Sequence, residues 1–315
     1  MSVLSSPHFH DEAKAFEYLE SIVWADGVVC PHCGTVDGKV YDLSGVRTKP
    51  SKKHPEGKVR HGLKKCGECR KQFTVKVGTV FEHARLPLHK MLQAVHLMVS
   101  SKKGISAHQM HRVLEITYKS AWFLMHRIRE AMRSGDLAQP FGSGVGAVEV
   151  DETYIGFKRD HPTRRGTAHK HGVVALVDRE SGQSKWFKID NATADQIHPI
   201  VLDNIDREAR LMTDEARMYW RIGREFAEHG VTTHSRHEYV NPSDRTIHTN
   251  TVEGAFSIFK RGMRGVNQHC QEHHLHRSMA EIEFRYNNRN ANGIADRMPG
   301  FVWRLQDDSG DATDL

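Results

Sequence analysis

Apolar and polar positions change their period along this chain, and the changes predict its elements. Near the start, FEYLESIVW has a short helical pattern. Further on, Phe73, Val75 and Val77 alternate with Thr74 and Lys76, a period of two that predicts a strand. Over residues 88–132 the period becomes helical. Met91, Leu92, Val95, Met98 and Val99 share one face, and Gly104 is expected to end that helix. Ser106 with Gln109 suits a capping box for a short second helix. Thr117 can cap a third, which carries Trp122, Met125, Ile128 and Met132 on its inner side.

The glycine-rich run FGSGVG at 141–146 marks a boundary. Beyond it the pattern predicts a strand ending at Asp151, a basic loop over 158–170, and a hairpin of strands at 173–177 and 185–189. A helix is expected over 193–204, a strand over 210–213 ending at Asp214, a helix over 215–227, a short fifth strand at 231–233 and a strong helix over 251–263. That order, on a mixed five-stranded sheet with helices, is the order of an RNase H-like α/β domain. Helix, short helix, turn and longer helix before it outline a helix-turn-helix, a pattern that many small helical bundles share. The expected organisation is a helical segment at 1–29, a zinc ribbon at 30–82 built on the CxxC pairs Cys30/Cys33 and Cys66/Cys69, a helix-turn-helix-like module at 83–140, the α/β domain at 141–303 and a disordered acidic tail at 304–315.

Charge sharpens this picture. The 315 residues carry a net +6, yet between Cys30 and Lys76 twelve Lys or Arg face four Asp or Glu, leaving the rest slightly acidic. An imbalance confined to one segment fits a polyanionic partner such as nucleic acid, with a solvated basic face as the alternative. No apolar run is long enough to span a membrane and no signal-peptide pattern opens the chain, so a cytoplasmic protein is expected. Four of the five cysteines, Cys30, Cys33, Cys66 and Cys69, form two CxxC pairs, which suit a structural tetrahedral Zn2+. Cys270 is expected to be a buried free thiol. The histidine-rich stretches at 229–248 and 269–276 read as surface or phosphate contacts, with His248 set apart by its nearness to the last helix.

Asp151 and Asp214 each follow an apolar run, VGAVEVD and ARLMTD, where active sites of α/β sheets are assembled; turn residues at strand ends are the competing reading. In the last helix Val252, Phe256, Phe259, Met263 and Val266 form a buried stripe. Glu253, Ser257, Lys260 and Arg264 repeat it one residue later, about 100° round the helix. Glu253 there suits a metal ligand with Lys260 as a phosphate contact, but Asn250 and Glu253 also make a capping box, and the residues alone leave both open. Glu152 is placed behind the site or on the surface, because adjacent strand residues face opposite ways.

Together VEVDETYIG, LMTDEARMY, HTNTVEGAFSIFKRGMRGV and EIEFRYNNR resemble the DDE transposases of bacterial insertion sequences, in the group with an N-terminal zinc ribbon, over about residues 30–289. The resemblance implies Asp151, Asp214 and Glu253 as catalytic ligands of two Mg2+ ions, for which Mn2+ can substitute. It matches Lys260 to the family's basic residue, places Arg264 and Asn250 with it as DNA contacts, and leaves open whether Asn250 acts in place of the third acid. It also implies hydrolysis and transesterification at transposon ends, terminal inverted repeats and target DNA as partners, a homo-oligomer on DNA, and a place at the bacterial nucleoid. A non-catalytic DNA-binding descendant, or a nuclease of the same fold that cuts without joining, are the rival functions.

Overall fold

A computed structural model describes residues 3–289, except 37, 53, 134–138, 159–165, 237 and 269. The acidic tail, the end of the expected α/β domain and much of the basic loop therefore lie outside the described residues. The described chain forms two compact units, one of residues up to 101 with 105–132, the other of 102–104 with the residues from 133 onward.

In the first unit α1 (Glu12–Val23) starts at Asp11, whose side chain accepts from the Lys14 amide at 2.9 Å. It buries Ala15, Phe16 and Leu19. Three short strands, β1 (Val40–Asp42), β2 (Lys64–Cys66) and β3 (Gln72–Phe73), pair antiparallel in that order. The alternation predicted through Val77 is present in burial, since Phe73 and Val75 are buried, but pairing stops at Phe73 and the chain turns, the Val77 amide bonding to Thr74 O. Glu20 holds Lys64 at 3.0 Å, tying α1 to the strands.

The helices α2 (Leu88–Ser100), α3 (Ala107–Leu114) and α4 (Tyr118–Ala131) follow. Ser106 and Thr117 cap α3 and α4 through the amides of Gln109 and Ser120, as their positions predict. α2 ends at Ser100, short of Gly104. Its N-cap is Pro87, which offers no side-chain acceptor; Glu12 of α1 accepts instead from the amides of Leu88 and His89, at 2.8 and 3.2 Å.

In the second unit β4 (Ala147–Ile155), β5 (His171–Asp178), β6 (Ser184–Ile189), β7 (Arg210–Asp214) and β8 (Glu228–Thr232) form one sheet in the order β6-β5-β4-β7-β8. β4, β5 and β6 pair antiparallel, whereas β7 and β8 run parallel to β4. This is the mixed sheet of an RNase H-like domain. Val148, Val150, Val174 and Leu176 face α5 (Ala194–Asn204) and α6 (Tyr219–Ile222) on one side. On the other, Ile155, Val173, Ala175 and Val177 pack with Val252, Phe256 and Phe259 of α7 (Asn250–Gly265) and Leu275, Met279 and Ile282 of α8 (Leu275–Asn287).

Three elements depart from the sequence pattern. β4 does not end at Asp151 but continues to Ile155, because β5 pairs with it throughout, Asp151 opposite Ala175. The helix expected over 215–227 shrinks to the four residues of α6 and a 3-10 turn, Gly223–Glu225. There Gly223 lies so close to the His229 ring that a Cβ would come within 2.0 Å of Nδ1. The fifth strand starts at Glu228, earlier than its polar sequence suggests, where Glu228 pairs with Arg210 at 2.5 Å.

α8 also closes an edge of the sheet. Asn287 accepts from the Ser184 amide at 2.7 Å and donates to Ser184 O at 2.9 Å, and Glu283 accepts from the Trp186 amide at 3.0 Å.

In the first unit His96, 5% exposed, packs edge-on against Phe9, and burial lowers its pKa. A depressed folded value means that its contribution is complete above the unfolded value, about 6.5, and is lost as pH falls below it. Urea unfolding should show stability declining from about pH 6.5 downward, and His96→Leu should flatten that decline; an unchanged slope would assign it to other groups.

Candidate active site and cysteine cluster

Cys30 and Cys33 lie on a tight knuckle closed by the Gly34 amide on Cys30 O, and Cys66 ends β2 with its amide on Lys71 O, which turns Cys69 back toward it. The four Sγ atoms all lie within 4.8 Å of one another, with Cys30 to Cys69 at 3.7 Å and Cys33 to Cys66 at 3.8 Å. Tetrahedral zinc with Zn–S near 2.3 Å needs sulfurs about 3.8 Å apart, so this donor set fits. Phe73, Trp24 and Val40 pack around it. Cys270 is half-buried, its Sγ 3.4 Å from Ser278 Oγ.

On the sheet of the second unit, β4 and β7 are neighbours in parallel register, Glu149 opposite Met212. Continuing this register by two residues sets Asp151 beside Asp214, on the face covered by α7. Asp214 sits where β7 ends and accepts from the Ala216 amide at 3.0 Å. Glu253 comes from the first turn of α7, where its carboxylate meets Thr249 Oγ1 at 3.2 Å and His234 Nε2 at 3.3 Å. Burial first, then the charges of Glu152, Asp214 and Glu253, push the Asp151 carboxyl well above the usual range. The three acids are thus electrostatic neighbours. Carboxylates that repel one another are a donor set for hard divalent cations, and a pair of ions about 3.5–4 Å apart is held by several of them converging at one edge.

α7 has the face that its sequence predicts. Val252, Ala255, Phe256 and Phe259 are buried, Glu253 and Lys260 half-buried, and Arg264 exposed. Lys260 Nζ stands 6.0 Å from the Phe256 ring centre. Asn250 is exposed and does not form the capping box. Thr249 is the N-cap residue, and the Glu253 amide bonds to its carbonyl at 3.1 Å.

The cap comes from the sheet instead, through a residue the sequence reading passed over. Glu149, with no exposed surface, accepts from the Val252 amide at 2.9 Å and Thr251 Oγ1 at 2.7 Å. Arg179, just past β5, donates to Glu149 at 2.6 Å and to the carbonyls of Thr246 and His248, each at 2.6 Å, and lies 2.9 Å from His248 Nδ1. A period-two signal was available, since Glu149 stands two residues before Asp151 in an otherwise apolar run. Nothing local singles out Arg179. Glu152 does face away from Asp151, but it is not on open surface. It accepts from the fully buried Tyr219 hydroxyl at 2.9 Å. Burial, then Asp214, raise its pKa to about 7 against that hydrogen bond.

The sheet order and the cysteine module are those of an RNase H-like α/β domain behind a zinc ribbon. Residues 144–287 match the ISXO2-like transposase domain, and residues 10–72 match the transposase zinc-ribbon domain. The chain thus joins a transposase zinc ribbon to an ISXO2-like transposase domain. A domain of unknown function matches 271–315, largely outside the described residues. An uncharacterized protein in transposable element ISH50 of Halobacterium salinarum is 27% identical over 285 residues, 82% of this chain and 87% of that protein. Among solved structures, the catalytic core domain of BIV integrase has a TM-score of 0.32 and 19% identity, covering 51% of this chain and 94% of that one. A chain of the simian T-cell lymphotropic virus intasome has a TM-score of 0.29 and 14% identity, covering 61% and 64%.

Removing the hydroxyl in Tyr219→Phe leaves the Glu152 carboxylate without its buried donor. Loss of a hydrogen bond to a charged acceptor should lower unfolding stability by about 1–3 kcal/mol in urea titrations. An unchanged midpoint would show that water replaces the donor.

Proposed function

We propose that this chain is an active transposase that cuts DNA at the ends of a transposable element and joins those ends to target DNA. Parallel pairing of β4 and β7, which sets Asp151 beside Asp214 on the face that α7 covers with Glu253, carries this reading. These three acids are the ligands of a pair of Mg2+ or Mn2+ ions, whose chemistry when bound is to activate the attacking oxygen and stabilise the leaving oxygen of a phosphodiester. Asp151, on a strand paired on both sides, fixes the site, while Glu253 completes it from the helix. Lys260 and Arg264, about two and three turns along from Glu253, with exposed Asn250 at the start of α7, are read as phosphate contacts that hold the DNA end.

In the same reading Cys30, Cys33, Cys66 and Cys69 hold one structural Zn2+, which leaves no open position for chemistry. The ribbon at 30–82 and the helical module at 83–140 bind the terminal repeats, the basic ribbon through phosphates and α3 and α4 as a helix-turn-helix. The domain from 141 carries out the reaction on DNA, as a homo-oligomer at the bacterial nucleoid.

The deciding experiment incubates the full chain with Mg2+, a duplex bearing the element's terminal repeat, and a supercoiled target. Cleaved and joined products are expected from the wild type. Cleavage without joining would make the protein a nuclease, and binding without either a DNA-binding protein alone. Asp151→Asn, Asp214→Asn and Glu253→Gln should each abolish both products while retaining DNA binding, because the amide keeps the shape and removes the charge that holds the ions. A Glu253→Gln protein that cuts normally would return the third position to Asn250, whose own substitution by Ala should then be inactive.

Metal analysis of the purified chain should give one zinc per molecule. Cys66→Ser should lose it and unfold the ribbon, seen as loss of protease resistance before residue 83, with the α/β domain still folded. Zinc retained by that variant would remove Cys66 from the site.

A further inference from the structure

α7 must present Glu253 to Asp151 from a separate element, and its own sequence gives its first turn no side-chain cap. An exposed Ser or Asp at the N-cap would supply one for about 1 kcal/mol without burying a charge. The chain instead buries a carboxylate completely, a placement that is costly unless every oxygen is bonded. Glu149 meets that condition. Its Oε1 takes Arg179 Nε at 2.6 Å and Thr251 Oγ1 at 2.7 Å, and its Oε2 takes the Val252 amide at 2.9 Å. His248 Nδ1 lies 3.2 Å from Oε1.

These bonds define more than helix stability. Amides of a helix's first turn point along its axis, so the Val252 bond resists sliding of α7 over the sheet. The Thr251 hydroxyl gives the same carboxylate a second hold on that turn, and two points of attachment resist rotation better than one. Arg179 clamps the preceding segment through Thr246 O and His248 O. On the strand side, Glu149 and Asp151 share one face of β4, two residues apart on a strand paired with β5. On the helix side, Val252 and Glu253 are consecutive. The link from Asp151 to Glu253 therefore runs through two short rigid spans and one buried carboxylate.

We propose that Glu149, held by Arg179, is a positioning residue that sets the register of α7 so that Glu253 completes the metal site with Asp151 and Asp214. This rests on the reading of those three acids as metal ligands. Partners that orient a ligand without touching the metal are commonly worth about 10–100-fold in metal affinity or activity.

The test measures Mn2+ binding to the full chain by electron paramagnetic resonance, alongside unfolding and DNA affinity. In Glu149→Gln, Mn2+ affinity should fall about tenfold or more, and the Mg2+ concentration for half-maximal cleavage should rise with it, while DNA affinity is retained. In a Glu253→Gln background the same substitution should change Mn2+ affinity little, since its effect passes through Glu253. A Glu149→Gln protein that is less stable but binds Mn2+ as the wild type does would reduce Glu149 to a helix cap and overturn the proposal. Should that variant fail to fold, Thr251→Val, which removes one donor, decides. About threefold weaker Mn2+ binding is expected, and unchanged binding would overturn the proposal. Asp151→Asn separates the two readings. Wild-type Mn2+ binding there would sink the metal-site assignment itself, whereas its loss with intact binding in Glu149→Gln would sink only the positioning role.

Discussion

A carboxylate with no exposed surface holds together the face of the α/β unit that α7 covers. Glu149 joins the central strand, the start of α7 and the segment before it through one set of hydrogen bonds, and removing any partner would leave charge or a backbone amide buried without compensation. The first unit uses the same device. Glu12 satisfies the opening amides of α2, which Pro87 cannot cap. Both helices begin on a carboxylate far away in the chain, 76 and 103 residues from the amides it accepts. Each helix start is therefore conditional on the surrounding fold, and forms fully only when its unit does.

This dependence explains where the sequence was legible. The stripe of Val252, Phe256 and Phe259 repeats over several turns, and nothing distant competes with a pattern of that length, so α7 and its face were readable. So were the caps Ser106 and Thr117, whose acceptors lie three residues from their donors. Asn250 and Glu253 have the right spacing for a capping box too, but Glu149 satisfies the Val252 amide and the box is not made. Asp151 looked like a strand end because apolar residues stop there. β5 carries the strand onward through pairing that composition does not record. The helix expected after Asp214 is reduced to α6 and a 3-10 turn, where Gly223 packs against the His229 ring of the next strand, a contact that the local pattern does not record. Of the site, the four cysteines could be named from residue type and spacing, and the three acids only as candidates that the family resemblance then singled out; Arg179, Tyr219 and His234 could not, because nothing local in the sequence marks them.

The two clusters differ in how their geometry relates to an ion. The thiols already stand at the separations a tetrahedral cation requires, since a tight knuckle and a strand turn leave them little room to spread. The carboxylates are close enough for Glu152, Asp214 and Glu253 to favour the protonated form of Asp151. On the proposed reading, the first arrangement suits an ion that stays for the life of the fold. The second suits ions whose coordination shifts as phosphate oxygens arrive and leave.

At the far side of the sheet, Asn287 gives Ser184 one acceptor and one donor, the pair of bonds that a residue on an adjoining strand would supply, and Glu283 takes the next outward amide. β6 is thus finished by side chains that imitate a strand. An unfinished edge of this kind is a template on which unrelated chains polymerise. With these groups occupied, a stranger or a second copy finds less to pair with at β6, so crowding concentrates the protein with fewer openings for a continuous ribbon to start from that border.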